Sequence, residues 1–429
     1  MRKRTPAGIA AAEIDDMTIH SFLGEQRNFG EPQTIKPGDA KLEKEWRSIE
    51  YLLIAEMSMV GLTLLAKHSD PQVSFGGVTI IFFGDYLQYR SVYDALVHTD
   101  LTLAPKTKPR KRPTEKEIQQ RVVRSLILQS NCVVKLTQQI RTEDLRYLQL
   151  LERLRHGKCN YDDYELLLTR VMISYLCLIW VSILVFRNEV RMQLNHKAAI
   201  HDAAQLCYTP MTKHLPGLLP FVPGMPVILT QNIAIKLGLI NGINGIFRQL
   251  VYQSDSVSTN SLSEAFPSGT RYVHRPVYAL IEITKAKIGC NLEALHPKLV
   301  PVLLMEQIFR VDIGDILPND RKQKLNQTAI LSIKRRALPL VSAYLITTHK
   351  SQDQTLNKVV IDLRLPNEID DIAAIYVPLS RVKRLIDLVI LRPFDYKVLL
   401  IKPNQSQLAE MERPDKLYSE TKMSFSEWF

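Results

Sequence analysis

The chain has 429 residues, of which 46% are hydrophobic and 23% are charged, and its formal net charge is +11. This globular composition excludes a low-complexity or disordered protein, and the length allows about two to four domains. The positive charge favours polyanionic partners, nucleic acid ahead of a membrane surface, although a merely basic soluble protein has the same charge.

The cysteines and the N-terminus restrict the compartment. The five cysteines are scattered without a C-x-x-C pair, which argues against a zinc site or a disulfide framework and suits a reducing compartment. The N-terminus has basic residues but no apolar core, so it is not a secretory signal. A nuclear or a mitochondrial address remains open.

Two predicted strands near the start of the chain end in acids. Residues 52–55 are apolar and lead directly into Glu56, and residues 78–85, VTIIFFGD, predict a second buried strand that ends in Asp85. This pattern is typical of parallel strands that deliver carboxylates to the carboxyl edge of a sheet. Nucleotide-hydrolysing proteins use two acids there, but Ala55 precedes Glu56. The first strand is either an NTPase strand without its metal acid or an ordinary buried strand.

A basic segment and a group of helices follow. Residues 106–113, KTKPRKRP, are compatible with a nuclear-import signal, a phosphate contact or a plain solvated loop. Residues 114–170 have apolar residues at helical spacing. Gly157 is expected to end one helix, and the acids of YDDYELL are expected to begin the next.

Residues 171–186, VMISYLCLIWVSILVF, are uncharged and raise the question of a membrane span. They are shorter than the roughly 20 residues that a spanning helix requires. Their Val, Ile, Tyr and Trp residues favour one or two buried strands, so we predict no membrane helix. The strand ILVF is expected to precede a helix that begins at EVRMQLN.

The second half of the chain becomes β-rich before it returns to mixed structure. Residues 216–330 combine short apolar runs, prolines and Asn-Gly turns, including a turn-rich strand pair in GLINGINGIFRQLVY, and predict a small β domain. LPLVSAYLITTHKSQDQTLNKVVIDL then predicts a strand, a loop, a helix start and a strand. AAIYVPLSRVKRLIDLVIL predicts a helix, an exposed arginine and a strand. The polar ending, YSETKMSFSEWF, is expected to be loose.

Several motifs follow one another in a known order: TIHSFLG, AEMSMVG, FGGVTIIFFGDYLQYRSV, LTQQIRTED, RLRHG, PGMPVILTQN with GLINGINGIFR, THKSQDQTL and YVPLSRVKRL. Together they resemble the motif series of the PIF-type DNA helicases, which are 5′-to-3′ motors of superfamily 1B. The chain looks most similar to the fungal and Helitron-transposon branch. Each motif alone is weakly specific, whereas their shared order and spacing over most of the chain are strongly specific.

The resemblance implies an α/β fold with two RecA-like P-loop NTPase motor domains and a small SH3-like β domain inserted in the second. We expect residues 1–165 to form the first motor domain without its P-loop strand. Residues 166–215 and 336–400 are expected to form the second motor domain. The insert is expected at residues 216–335 and a tail at residues 401–429.

The resemblance also implies roles for individual residues. Glu56 would act on the attacking water and would hold Mg²⁺ weakly, while Asp85 and Gln139 would contribute to ATP binding. Taken singly, an acid after a strand is often only a turn residue. The γ-phosphate would be contacted by Gln88, Arg141 and Arg381. Single-stranded DNA would be held by His20, Ser21, Thr348, His349, Lys350, Ser351 and Gln352.

The sequence departs from the family pattern at the nucleotide site. It contains no G-x-x-x-x-G-K-[ST] match, and Ala55 stands where the family has a metal-binding Asp. Asp353 stands in place of a motif glycine, and Arg90 and Ser91 stand in place of a Pro-Pro pair. We therefore expect a chain that begins after its P-loop and hydrolyses ATP poorly, because these groups supply most of the electrostatic stabilisation of phosphoryl transfer.

By resemblance, the expected function is an ATP-dependent 5′-to-3′ DNA helicase of DNA repair, recombination and telomere maintenance. Its ligands would be ATP, Mg²⁺ and single-stranded DNA, and its location the nucleus, with the mitochondrion as the alternative. A hypothesis of another class is a non-enzymatic single-stranded DNA-binding relic of a helicase or transposon gene. A third is a first domain made unstable by unpaired sheet edges. The sequence leaves the oligomeric state open.

Overall fold

The structure is a computed structural model that describes residues 2–4, 19, 49–60, 78–89, 115–172, 182–203, 221–253, 255, 257–258, 272–273, 276–288, 296, 298–312, 330–352, 354–366, 369 and 371–428. The chain divides into two compact units. Unit 1 comprises Met1–Ala10, Ile49–Arg191 and Leu345–Phe429, and unit 2 comprises Ala11–Ser48 and Met192–Tyr344. Within the described ranges, no helix has both the length and the apolar character that a membrane span requires.

The elements are numbered along the chain. The described strands are β1 Arg2–Arg4, β2 Tyr51–Ile54, β3 Thr79–Phe82, β4 Ser182–Val185, β5 Pro226–Leu229, β6 Asn244–Tyr252, β7 Val257–Ser258, β8 Tyr272–Val273, β9 Pro276–Glu282, β10 Leu299–Leu303, β11 Met305–Asp312, β12 Ile330–Ala337, β13 Leu340–Ser342, β14 Leu345–Thr347, β15 Val359–Ile361 and β16 Leu388–Ile390. The described α-helices are α1 Glu115–Leu128, α2 Leu145–Arg155, α3 Tyr161–Leu168, α4 Asn188–Ala203, α5 Ala373–Leu379 and α6 Gln405–Ser424.

The first sheet of unit 1 is parallel, with strand order β1-β2-β3. The two strands predicted to end in acids are adjacent, so their carboxyl ends lie at one edge of the sheet. Strand β1, which the sequence analysis did not predict, pairs with the other side of β2. The prediction that β3 is buried is wrong, since Ile81 is 41% exposed. In the described sheet β3 pairs only with β2, and such an edge strand keeps solvent contact.

The second sheet of unit 1 is also parallel, with strand order β14-β4-β15-β16. All three residues of β15 are buried, as expected for a strand covered on both faces. The predicted strand ILVF is confirmed by β4, and the helix after it by α4. The preceding residues 173–181 of the uncharged segment lie outside the described part of the chain.

Helices α2 and α3 begin and end where their capping residues predict. Helix α2 ends just before Gly157, whose φ of 63° lies in the left-handed region that favours glycine. Asn160 caps α3 through a capping box with Asp163, in which each side chain accepts from the other residue's backbone N–H. Arg153 on α2 then pairs with the buried Asp163 carboxylate at 2.5 Å, which joins the two helices.

The end of the described chain is ordered, so the prediction of a loose ending is wrong. Asn404 caps α6, and the helix has a buried carboxylate at Glu410. This carboxylate accepts from the Tyr86 hydroxyl at 3.2 Å, from Arg124 at 2.7 Å and from Arg413 at 2.6 Å. Burial opposes its ionisation, but the two arginines lower the pKa of Glu410 overall. Charged partners distant in sequence therefore hold the helix that continues into the predicted loose ending, where Thr421 accepts from the Val133 backbone N–H at 3.0 Å.

Unit 2 is dominated by a five-stranded antiparallel sheet of order β10-β9-β6-β5-β13. Its core includes stacked rings of Phe221 and Phe247 with centroids 4.7 Å apart. Strands β11 and β12 form a separate antiparallel ribbon. The predicted β-rich character is therefore confirmed, although GLINGINGIFRQLVY supplies the single strand β6 rather than a strand pair. The predicted domain bounds stay a prediction.

Candidate nucleotide and nucleic-acid site

Two loops leave the carboxyl edge of the first sheet and run side by side. The backbone N–H of Met57, in the loop after β2, donates to the carbonyl of Phe83, in the loop after β3, at 2.9 Å. A Cβ on Gly84 would lie 2.6 Å from the Met57 side chain, so this approach requires glycine. The parallel pairing of β2 and β3 and this close contact bring the segments that carry Glu56 and Asp85 together.

Glu56 has a strained backbone and one described side-chain partner. Its φ of 55° and ψ of 50° lie in the left-handed region, which is uncommon for a residue with a side chain. The amide Nε2 of Gln352 donates to its Oε2 at 3.1 Å. The predicted catalytic acid is thus held by a residue predicted to bind DNA.

Asp85 is engaged in an ion pair that the sequence analysis missed. Arg155, at the end of α2, donates through Nη1 to Asp85 Oδ2 and through Nη2 to Oδ1 at 2.8 Å. The same guanidinium donates to the Tyr376 hydroxyl on α5 at 3.0 Å. Burial opposes the charge of Arg155, but the Asp85 carboxylate raises the pKa of Arg155 overall. The available signal in the sequence was the motif RLRHG, whose second arginine is Arg155.

The residues after Asp85 contact the segment predicted to bind DNA. The Tyr89 hydroxyl donates to Thr348 Oγ1 at 2.6 Å, and the Tyr89 ring stacks on His349 with centroids 3.7 Å apart and an interplanar angle of 20°. The neighbouring Gln88 has a buried Oε1 without a hydrogen-bond partner in the described structure. A buried acceptor of this kind would be satisfied by a water or a ligand donor.

The two predicted phosphate-binding arginines converge on Ser380. Arg141 Nη1 donates to the Ser380 carbonyl at 3.1 Å, and Arg381 Nη2 donates to the Ser380 hydroxyl at 2.7 Å. Arg381 is only 2% exposed and also donates to the Val377 carbonyl of its own helix at 2.9 Å. The prediction of an exposed arginine is therefore wrong, because this guanidinium satisfies helix-terminal acceptors instead of facing solvent.

Most of the described residues predicted to hold DNA point inward. They lie on the 3₁₀ helix Thr348–Ser351 or directly after it, and Thr348, Ser351 and Gln352 are buried. Burial, only partly offset by Asp371, lowers the pKa of His349, so its ring is neutral at pH 7. Lys350 differs from its neighbours, because burial and the nearby Arg191 charge lower the pKa of its ammonium to about 8. A phosphate would offset both effects.

The remaining predicted site residues are exposed or lie outside the described residues. Gln139 is exposed and accepts from the backbone N–H of Arg141 at 3.2 Å, which is a local contact. The described ranges do not include His20, Ser21, Arg90, Ser91 and Asp353.

The described acids do not by themselves form a magnesium site. Within the described ranges, no group of three or more His, Cys, Asp or Glu side chains is placed to hold a metal ion. Magnesium prefers octahedral oxygen ligands that include one or two carboxylates. The Asp85 carboxylate is committed to Arg155, and the Glu56 carboxylate accepts from Gln352.

Known proteins are similar to this chain in sequence and in fold. The ATP-dependent DNA helicase PIF1 of Xenopus laevis is 23% identical over 450 residues, which cover 97% of this chain and 58% of that protein. The chain thus spans less than two thirds of that relative. No protein-family model matches.

Two solved structures have the same fold. The Pif1 helicase from Candida albicans has a TM-score of 0.62 at 19% identity, over 96% of this chain and 88% of that one. The Bacteroides Pif1 helicase in complex with ADP-AlF3 and single-stranded DNA has a TM-score of 0.60 at 19% identity, over 96% and 87% of the two chains. These similarities confirm the family resemblance and do not favour the non-enzymatic alternative, while the fungal and Helitron branch stays a prediction. The chain is similar in sequence to PIF1 helicases and has the fold of the solved Pif1 helicase structures.

Proposed function

We propose that this chain is part of an ATP-dependent 5′-to-3′ DNA helicase that acts on single-stranded DNA in DNA repair, recombination and telomere maintenance. Its similarity to PIF1 helicases along almost all of its length supports this proposal. The Bacteroides relative binds ADP-AlF3 and single-stranded DNA, which supports a nucleotide and a DNA strand as ligands. A nuclear location rests on the basic sequence alone.

The observation that carries the proposal is the contact between two sets of predicted residues within unit 1. The loops after β2 and β3 carry the predicted catalytic residues, and the segment after β14 carries the predicted DNA contacts. Gln352 bonds Glu56, and Tyr89 bonds Thr348. In this proposal, these contacts couple nucleotide hydrolysis to movement along the DNA strand.

The 429-residue polypeptide by itself hydrolyses ATP slowly in this proposal. Ala55 removes a metal acid at the end of β2, and the nearby Asp85 is bound by Arg155. Arg381 is folded back on its own helix. Electrostatic stabilisation of the transferred phosphoryl group is therefore weak, and turnover below about 1 per second is expected.

The fold is proposed in finer detail on the same basis. The two parallel sheets of unit 1 would belong to the RecA-like motor domains. The first would comprise residues 1–165, and the second residues 166–215 and 336–400. Four strands of the antiparallel sheet of unit 2, β5, β6, β9 and β10, would belong to the SH3-like insert at residues 216–335, and its edge strand β13 lies just beyond that bound. Its strand pairing and small size support this assignment.

The test combines binding and turnover of the purified 429-residue polypeptide. Anisotropy of a labelled oligonucleotide is expected to show binding that weakens as salt rises, because phosphate contacts release counterions. Slow ATP hydrolysis is expected to fall to background in Glu56→Gln. It is expected to persist in Glu152→Gln, since Glu152 is a surface acid on α2.

Polarity is tested with tailed duplexes. Strand release is expected only from a duplex with a 5′ tail. Absent or salt-independent binding would overturn the DNA part of the proposal. Turnover above about 1 per second would overturn the weak-ATPase part.

A further inference from the structure

We infer that Gln352 is a positioning residue for the Glu56 carboxylate, and that it transmits occupancy of the DNA strand to the catalytic edge of the first sheet. This inference rests on the proposed function and changes the role of Gln352 from DNA contact to internal connector.

The first argument is the direction of the side chain. Gln352 is only 3% exposed, and its amide faces Glu56 rather than solvent. A carboxylate only accepts hydrogen bonds, so Nε2 must be the atom that faces it. The bond at 3.1 Å occupies Oε2, which leaves the other carboxylate oxygen for a water.

The second argument is that this contact is poor as a stabilising device. The Gln352 Oε1 is buried without a described partner, and Glu56 adopts a left-handed backbone. Both features cost stability, and residues that break local rules in this way are concentrated at functional sites. The Glu56–Gln352 pair is therefore better explained by catalysis than by folding.

The third argument is the connection of the 3₁₀ helix Thr348–Ser351 at both ends. At its start, Thr348 and His349 bind Tyr89 of the loop after β3. Gln352, directly after its end, binds Glu56 of the loop after β2. Any shift of this short helix along a bound strand changes the geometry of the Glu56 carboxylate.

Lys350, in the middle of the same 3₁₀ helix, faces the DNA strand in this proposal. Among the described residues, burial and the Arg191 charge act on the Lys350 ammonium and no carboxylate offsets them, in contrast to the partnered side chains of Thr348 and His349. Lys350 is thus the residue placed to bind a phosphate, and Gln352 is the residue placed to report that binding.

The experiment uses hydrogen exchange of the backbone amides that follow Glu56. The variants are Gln352→Met, which keeps the length of the side chain without the amide, and the matched control Gln354→Met. Gln354 is also partly buried, but its amide donates to the Lys350 carbonyl at 2.7 Å. Exchange of Met57, Ser58, Met59 and Val60 is measured with and without a thymidine oligonucleotide, and binding is measured in the same samples.

The wild-type polypeptide is expected to change exchange at these amides by about threefold or more when the oligonucleotide binds. Gln352→Met is expected to bind the oligonucleotide with unchanged affinity and to lose this response, while Gln354→Met keeps it. In a Glu56→Ala background, which lacks the acceptor, Gln352→Met should add no further loss.

Four other results would separate the inference from the proposed function. A response that survives in Gln352→Met, or one lost equally in Gln354→Met, overturns the inference and leaves the proposed function intact. A drop in oligonucleotide affinity in Gln352→Met restores the DNA-contact role and also overturns the inference. Failure of the wild-type chain to bind the oligonucleotide overturns both.

Discussion

The loops after β2 and β3 start from equivalent positions and use their acids differently. Each follows a parallel strand, and each delivers one carboxylate to the same sheet edge. Glu56 receives a neutral amide donor on a strained backbone, whereas Asp85 receives a guanidinium in a two-pronged ion pair. An amide leaves the carboxylate charge uncompensated, and a guanidinium cancels it. The Glu56 carboxylate thus lacks a described cationic partner and, in the proposed function, is the group that acts on the water. The Asp85 carboxylate instead joins α2 and α5 to its loop through Arg155.

The largest expected effect is a loss of stability when the ion pair between Asp85 and Arg155 is broken. Asp85→Asn leaves the Arg155 guanidinium without its counter-charge in a partly buried position. Loss of a fully buried partner costs about 3–5 kcal/mol, and partial exposure reduces the expected cost here to about 2 kcal/mol of unfolding free energy. Urea unfolding checks this value. Glu56→Gln is the matched change on the other loop and should cost less than about 0.5 kcal/mol, so equal costs would show that the two acids play the same role.

The second effect is on the rate of ATP hydrolysis and concerns the loop after β2. Ala55→Asp places a second carboxylate beside Glu56, and hydrolysis by the polypeptide is expected to rise about tenfold, because metal-held phosphate charge is better stabilised. The assay is steady-state turnover in magnesium with single-stranded DNA. Ala55→Asn has a similar volume without the charge and should leave the rate unchanged. A rate that does not rise in Ala55→Asp would show that the low ATP turnover has another cause than the missing carboxylate.

The third effect concerns the way the loop after β3 is attached to the 3₁₀ helix. Tyr89→Phe keeps the stack on His349 but leaves the Thr348 hydroxyl without its donor, at an expected cost of about 1 kcal/mol. A double-mutant cycle with Thr348→Val should give a coupling energy of similar size. Tyr164→Phe removes a hydroxyl that donates to the Phe394 carbonyl, far in sequence from this contact, and its cycle with Thr348→Val should be additive. Additive free-energy changes in the cycle of Tyr89→Phe with Thr348→Val would contradict the contact between these two hydroxyls.

The smallest effect is a pH dependence of DNA binding. The folded Lys350 has a pKa of about 8, and a bound phosphate favours the charged form, so binding takes up a proton above pH 8. Affinity for single-stranded DNA is expected to fall about threefold between pH 7 and pH 9, the size of one weakened phosphate contact. Lys350→Arg keeps its charge over this range and should remove the dependence. Anisotropy titrations at each pH measure this affinity. A pH dependence that is unchanged in Lys350→Arg would assign it to another titrating group.

Local patterns predicted the elements but not their partners. Apolar runs and capping residues placed β2, β4, α2 and α3, because strands and helices bury apolar residues at fixed spacing. The partner of Asp85 lies 70 positions away and that of Glu56 lies 296 positions away. Neither contact has a signature within the motif that carries the acid. Arg381 shows the same limit, because its sequence position suggested exposure and its burial depends on acceptors at the end of α5.

The buried Glu410 has a consequence for the nascent chain during translation. Tyr86 and Glu410 are separated by 324 positions, so at roughly 5–20 residues per second tens of seconds pass during translation before the two can meet. Residues 192–344, the larger part of unit 2, emerge within that interval, before Glu410 is available to the Tyr86 hydroxyl. The loop after β3 spends the interval without its C-terminal partner and is then exposed to proteases.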